Sequence, residues 1–265
     1  MNGKVVLITG SSSGTGAVTA QEFAKLGAKL VITGRNVQGV KNTADACAKL
    51  SPQGYKPLEI ICDLDKDEDV RKLINKTIDY FGKLDILIGF HGIGDMTSYD
   101  TPNLMEVYDR VMRTNLRANV YLCHLAIPHL IKTKGNIILM SSIGAEKPYD
   151  HDMAFCMANA AVDLFARYIA VRLAPKGVRV NTIRPTYMVT PSKVSIFHKM
   201  GMKDEEIKEM WEYLEKENPM QRNLTSYDVA NVTVFLASDK ASFVNGVNLK
   251  IDGGHSDVTV AATTG

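Results

Sequence analysis

The run Thr9-Gly10-Ser11-Ser12-Ser13-Gly14-Thr15-Gly16 follows a short β-rich stretch directly and opens a helical one. In that setting Gly10 permits a tight turn, Gly14 lets backbone approach a pyrophosphate, and Gly16 allows close helix packing. The helix start adds N–H donors and the positive end of a dipole, so Gly10, Ser12, Ser13, Gly14, Thr15 and Gly16 form a candidate phosphate cradle. At the end of the second strand, the acidic residue that would bind an adenosine ribose 2′-hydroxyl is missing, and Gly34-Arg35-Asn36 stands there instead. The planar fork of Arg35 can pair with a 2′-phosphate, which favours NADP(H) over NAD(H); the plainer reading is a solvated surface arginine. Asp63, in Cys62-Asp63-Leu64, is placed to touch an adenine edge or to cap the helix that follows.

Such residues need strand ends and helix starts to hold them, and the chain supplies both. Strands are predicted at Lys4–Thr9, Lys29–Thr33, Pro57–Cys62, Leu84–Phe90, Gly135–Ser141, Val178–Ile183 and Val247–Ile251. Helical periods lie between them at 14–26, 37–49, 67–81, 102–132, 152–175 and 226–238. This alternation is the pattern of an α/β fold, a doubly wound parallel seven-stranded sheet with helices on both faces. With no repeat and no break in composition, residues 1–265 are read as a single domain. Residues 186–225 are an insertion before the last helix and strand, and 255–265 are a C-terminal tail. Within the insertion Ile207, Met210, Trp211 and Leu214 fall at helical spacing, the pattern of a surface helix or of a mobile lid over a site.

Bulk properties exclude several classes. The chain has 265 residues and a formal charge of +2, with no polybasic patch for nucleic acid or an anionic membrane. No uninterrupted apolar run approaches the roughly 20 residues of a bilayer span. Val5–Ile8 is too short for a signal-peptide core, so a cytoplasmic protein is expected. Cys47, Cys62, Cys123 and Cys156 lack ligand spacing and are read as reduced thiols, with no structural metal.

Taken together, Thr9–Gly16, Leu84-Asp85-Ile86-Leu87-Ile88, Asn115-Leu116, Ser141-Ser142, Asn181-Thr182-Ile183-Arg184-Pro185, Phe235–Asp239, Gly246 and Asp252-Gly253-Gly254 resemble the short-chain dehydrogenase/reductase family over nearly the whole chain. The resemblance implies a Rossmann-type sheet that binds NAD(P)(H) and interconverts a small carbonyl and an alcohol. In the family an Asn, a Ser, a Tyr and a Lys do this work. The Ser positions the substrate oxygen, the Tyr gives or takes its proton, the Lys holds the nicotinamide ribose and lowers the Tyr pKa, and the Asn supports a water chain to the Lys. Asn115 and Ser142 match the first two. Pro185 and Thr190 fall at positions that meet the nicotinamide end, and the helices at 102–132 and 152–175 pair between subunits of a homo-oligomer. The stretch Ala118, Val120, Leu122, Leu125 and Ile127 fits that pairing, or the internal core.

The remaining two positions depart from the family. Thirteen residues beyond Ser142, where the Tyr belongs, stands Phe155, and four further on, where the Lys belongs, stands Asn159. Phenylalanine has no proton to give, and asparagine carries no charge to depress a neighbour's pKa. Because acid–base help is worth roughly 10²–10⁴ in rate, ordinary family turnover should be nearly abolished. The site differs elsewhere too: Asn-Asn-Ala-Gly reads Gly89-Phe90-His91-Gly92, and Pro-Gly reads Pro185-Thr186. His91, Phe90 and Thr186 add bulk near the cofactor, so its binding is expected to be weakened. Two readings follow. One is a pseudoenzyme, kept for binding or assembly. The other is an active NADP(H)-dependent oxidoreductase with a substitute proton donor, such as His151, one helical turn before Phe155, or Tyr149, Tyr187 or His91.

Overall fold

Side chains alternate strictly on the first strand, β1 (Val5–Thr9). Val5 and Leu7 join one apolar cluster while Val6 and Ile8 join another, so this strand is covered on both faces. The computed structural model describes residues 1–95, 97–190, 194, 195, 197, 198 and 201–257. From β1 the chain runs through α1 (Gly14–Lys25), β2 (Lys29–Gly34), α2 (Val37–Leu50), β3 (Leu58–Ile61), α3 (Asp67–Phe81) and β4 (Ile86–Gly89). It continues with α4 (Leu104–Val111), α5 (Ala118–Thr133), β5 (Asn136–Met140), α6 (Met153–Leu173) and β6 (Arg179–Pro185). Then come α7 (Asp204–Glu217), α8 (Ser226–Ala237) and β7 (Asn248–Ile251).

All seven strands are parallel, in the order β3-β2-β1-β4-β5-β6-β7. The sheet order reverses at β1, since β2 lies on one side and β4 on the other. A crevice at the carboxyl ends of such a sheet is where doubly wound folds bind ligands. One face packs Val31 and Leu87 against Leu73 of α3, Leu122 and Leu130 of α5 and Val162 of α6. The other packs Ile32 and Ile88 against Phe23 of α1 and Val40 of α2. Beyond β4, α8 covers Ile138 and Ile183 through Val229 and Leu236.

The doubly wound, seven-stranded expectation holds, with differences at element ends. The helix expected at 102–132 is interrupted, since Met112–Arg117 winds as a π-helix between α4 and α5. An extra residue per turn leaves no trace in apolar spacing, and such segments often mark functional sites. The strands expected at Pro57–Cys62 and Leu84–Phe90 are shorter, while β2 and β6 run on to Gly34 and Pro185. In 186–225 the expected stripe forms α7, which buries Ile207 and Trp211, and a bridge between Met188 and Leu224 ties the ends of the excursion. Of the tail, 258–265 lie outside the described residues, as do 191–193, 196, 199 and 200 of the insertion. Met153–Lys176 reaches the length and apolarity of a membrane span, with mean hydropathy 1.4, but half of that stretch is buried inside the molecule. It is a core helix, whose Val162, Ala166, Ile169 and Ala170 join the β1–β4 core.

Candidate functional site

Two connected chambers open at the carboxyl ends of the strands, of about 330 and 740 Å³. They share Arg35, Asp65, His91 and Thr190, so together they form one continuous cleft.

The smaller chamber is built from backbone. Gly10 has φ +66, and a Cβ there would meet the Phe90 carbonyl oxygen at 2.7 Å. A Cβ on Gly16 would stand 2.3 Å from the Gly10 carbonyl oxygen, so the first turn of α1 packs too tightly for any other residue. Gly14 has φ +53 and open space beside it. Ser13, at the N-cap, accepts no N–H on its side chain, and the first turn of α1 contains no acid, so the helix start presents its N–H groups to the cleft. Ser12 packs against Gly34, where a Cβ would meet its Oγ at 2.6 Å. Thr15 lines the cleft, but its hydroxyl lies 3.1 Å from Ser226 Oγ and so ties α1 to α8. Arg35 is exposed at the rim, in no ion pair among the described residues. Beside it, Asn36 caps α2, its Oδ1 accepting from the Gly39 N–H.

Asp63 lines the chamber, but it does not cap α3. The N-cap is Lys66; Asp63 Oδ1 accepts from the Asp65 N–H instead, and Asp69 reaches back to the Asp63 N–H. α3 begins at Asp67, where the sequence places it, so Asp63 stands four residues ahead of the helix, too far to cap it. The same turn presents Asp65, whose carboxylate accepts from Thr114 Oγ1 at 2.8 Å and so latches the π-helical segment beside the cleft.

His91 reaches under the site, with Nδ1 2.8 Å from Thr9 Oγ1. Burial pushes its pKa down to about 4, so the ring is neutral at physiological pH. A neutral imidazole bound to Thr9 is a packing group here and a poor substitute acid.

The larger chamber is built from side chains. Asn115 sits in the π-helical segment, where its Oδ1 accepts from the Ile93 N–H and its Nδ2 donates to the Ile93 carbonyl, both at 2.8 Å. Its own carbonyl accepts from Asn119 Nδ2 at 2.7 Å. Phe155 and Asn159 both line the chamber, on one face of α6 as their spacing implies. Phe155 packs among Val107, Val111 and Ala158. Asn159 folds its amide back onto its own helix and donates to the Phe155 carbonyl at 2.8 Å. Thr186 adds a hydroxyl whose Oγ1 is buried without a partner. Pro185 and Thr190 also line this chamber.

Ser142 caps a 3₁₀ turn, Ile143–Ala145, by accepting from the Gly144 N–H at 3.1 Å. Its Oγ also lies 3.1 Å from the Tyr149 hydroxyl. Tyr149 stacks on Tyr187, with ring centroids 4.9 Å apart, and burial pushes the pKa of both phenols up, Tyr187 to about 12. His151 does not enter this chamber. It is exposed and lines a separate groove with Ser98 and Tyr99, because α6 starts only at Met153 and residue 151 lies in the turn before it. Helical spacing therefore does not carry His151 onto the face of Phe155. The part of Asn119 was missed, although its place four residues after Asn115 was a readable signal.

A family model described as enoyl-(acyl carrier protein) reductase matches residues 10–256. Dehydrogenase/reductase SDR family member 2, mitochondrial, of Homo sapiens is 30% identical over 250 residues, covering 94% of this chain and 85% of that protein. The 2,5-dichloro-2,5-cyclohexadiene-1,4-diol dehydrogenase LinX of Sphingobium indicum is 32% identical over 255 residues, 96% of each. A Caenorhabditis elegans short-chain dehydrogenase/reductase of unknown function, solved with cofactor, superposes with a TM-score of 0.88 at 29% identity, covering 98% of this chain and 97% of that one.

Proposed function

This chain belongs to the short-chain dehydrogenase/reductase family, an oxidoreductase family, and on that premise we propose that it is an NADP(H)-type member whose ordinary proton relay has been dismantled. It would bind the cofactor and a small carbonyl or alcohol ligand but turn ligands over poorly, in the manner of a pseudoenzyme kept for binding or assembly. The residues present fit the dinucleotide. The uncapped start of α1, with Ser12, Ser13 and Gly14, would take the pyrophosphate, and Asp63 the adenine edge. Arg35 at the rim would take the 2′-phosphate, and Pro185 and Thr190 would meet the nicotinamide end. Bound there, NADP(H) would supply or accept hydride.

One observation carries the loss of ordinary turnover. Asn159 spends its amide on the Phe155 carbonyl, and the side chain and carbonyl of Asn115 are taken by Ile93 and Asn119. No cation stands where the family has its lysine, so a water chain reaching from Asn115 would find an amide there in place of an ammonium.

The exposed apolar face of α6, with Leu164, Tyr168 and Val171, supports a homo-oligomer built through this helix; on α5, Ala118 and Leu122 are buried while Val120 is exposed. The four cysteines are unpaired and buried, which supports a cytoplasmic home. The test is Phe155→Tyr with Asn159→Lys. We expect NADPH-dependent carbonyl reduction to rise by roughly 10²–10⁴ over the wild type, followed as nicotinamide absorbance. Equal, robust turnover in both proteins would overturn the reading.

A further inference from the structure

The ligand chamber holds a phenol although position 155 does not. Tyr149 lies on the loop between the Ile143–Ala145 turn and α6. Three contacts fix it: its hydroxyl to Ser142 Oγ at 3.1 Å, its N–H to Cys156 Sγ at 3.4 Å, and its ring on Tyr187. Gly144 makes room for the ring, since a Cβ there would stand 3.0 Å from Tyr149 Cε2. Because Ser142 Oγ also accepts from the Gly144 N–H, the serine hydroxyl is anchored, and a ligand oxygen held by it would lie within reach of the Tyr149 hydroxyl.

We propose that Tyr149, paired with Ser142, is the proton donor and acceptor for the carbonyl–alcohol chemistry that this site retains. The proposal rests on the reading that the cleft binds NADP(H). In the reducing direction the Tyr149 O–H bond breaks and its proton passes to the carbonyl oxygen, whose C=O π pair forms the new O–H bond. The carbonyl carbon gains hydride from NADPH, so the carbonyl is reduced to the alcohol and the cofactor is oxidised to NADP⁺. Tyr149 is left as phenolate and regains a proton from water. Burial above all, with Tyr187, Cys156 and Asp152 adding to it, holds its proton on against the Ser142 hydrogen bond, and among the described residues these neighbours include no cation. Tyr149 would therefore be a slow donor. The reverse reaction, which needs the phenolate, should accelerate toward alkaline pH.

The test uses the whole protein with NADPH and 4-nitrobenzaldehyde, an electrophilic carbonyl that accepts hydride readily, so that proton transfer limits the rate. Slow turnover is expected in the wild type. Tyr149→Phe should lower kcat by about 10²-fold or more, with the calorimetric NADPH affinity unchanged. A second readout, independent of turnover, is 3-fluorotyrosine placed at position 149. Its ¹⁹F signal should move when 4-nitrobenzyl alcohol is added to the NADP⁺-loaded protein, and the more acidic phenol should carry the pH profile of alcohol oxidation to lower pH. Turnover that survives Tyr149→Phe, no turnover in NADPH-loaded wild type, or a silent ¹⁹F signal would each overturn the assignment. Absence of NADPH binding would overturn the cofactor reading as well, and calorimetry separates that failure from the others.

Discussion

At one end of the cleft the contacts that would hold a dinucleotide come from main chain: the φ +66 turn at Gly10, the free start of α1 and the close seat of Gly16 under Gly10. At the other end everything depends on side chains, and there, under the proposed reading, Phe155 and Asn159 stand in place of a phenol and a cation. A backbone site persists as long as the fold and a few glycines persist. A side-chain site can be lost by two substitutions that leave the helix intact. Asn159 shows how this happens without damage, since its amide is satisfied by the Phe155 carbonyl four residues back.

The comparison breaks most easily at Gly16. A methyl there would press on the Gly10 carbonyl oxygen from 2.3 Å, so Gly16→Ala must shift the turn that forms the cradle. Overpacking of this kind costs roughly 1–3 kcal/mol in stability. We expect NADPH affinity to fall by about a hundredfold, a loss of roughly 3 kcal/mol, while Phe155→Ala, at the side-chain end, leaves it nearly unchanged. Equal losses in the two variants, measured by titration calorimetry, would erase the distinction between the two ends.

Arg35 sharpens the same contrast, as a cofactor contact at the glycine end that rests on a charged side chain. Arg35→Ala should weaken NADPH by about tenfold, the worth of a charge-assisted contact of roughly 1.5 kcal/mol, and leave NADH untouched. An equal loss for both cofactors would place the guanidinium elsewhere than on a 2′-phosphate.

His91 bears on stability and leaves binding aside. It has about 4 in the fold against an ordinary 6.5, because burial disfavours its charged form. Below pH 6.5 the unfolded chain takes up a proton that the folded chain refuses until about pH 4, so stability is full above 6.5 and drains away between those values. At pH 5 the loss is roughly 2 kcal/mol at most. Between pH 8 and pH 5, the melting temperature of the wild type should therefore fall several degrees further than that of His91→Ala. Parallel curves would show that His91 is not held neutral by the fold.

Much of this was readable in the chain, for physical reasons that also explain what was not. Strand alternation and glycine spacing are local signals, and they located β1, the turn at Gly10 and α1 almost to the residue. The π-helical winding at Met112–Arg117 keeps the same residue types as an α-helix, so the sequence predicted one uninterrupted helix. His151 was misplaced because it lies in the turn before α6 and not on the helix, and the path of a turn is not periodic; Asp63 lines the chamber, and only its capping alternative fails. Ser142 and Tyr149 were both singled out, but their pairing depends on how a loop folds over a 3₁₀ turn, which no spacing rule describes.

The central claim, that the cofactor end survives where the catalytic end does not, is tested most directly by calorimetric titration of the wild-type protein with NADPH and with NADH. The expected result is saturable binding of NADPH, with NADH weaker by about tenfold. Heat from neither nucleotide would contradict the account, because the backbone cradle would then have lost its ligand along with the relay.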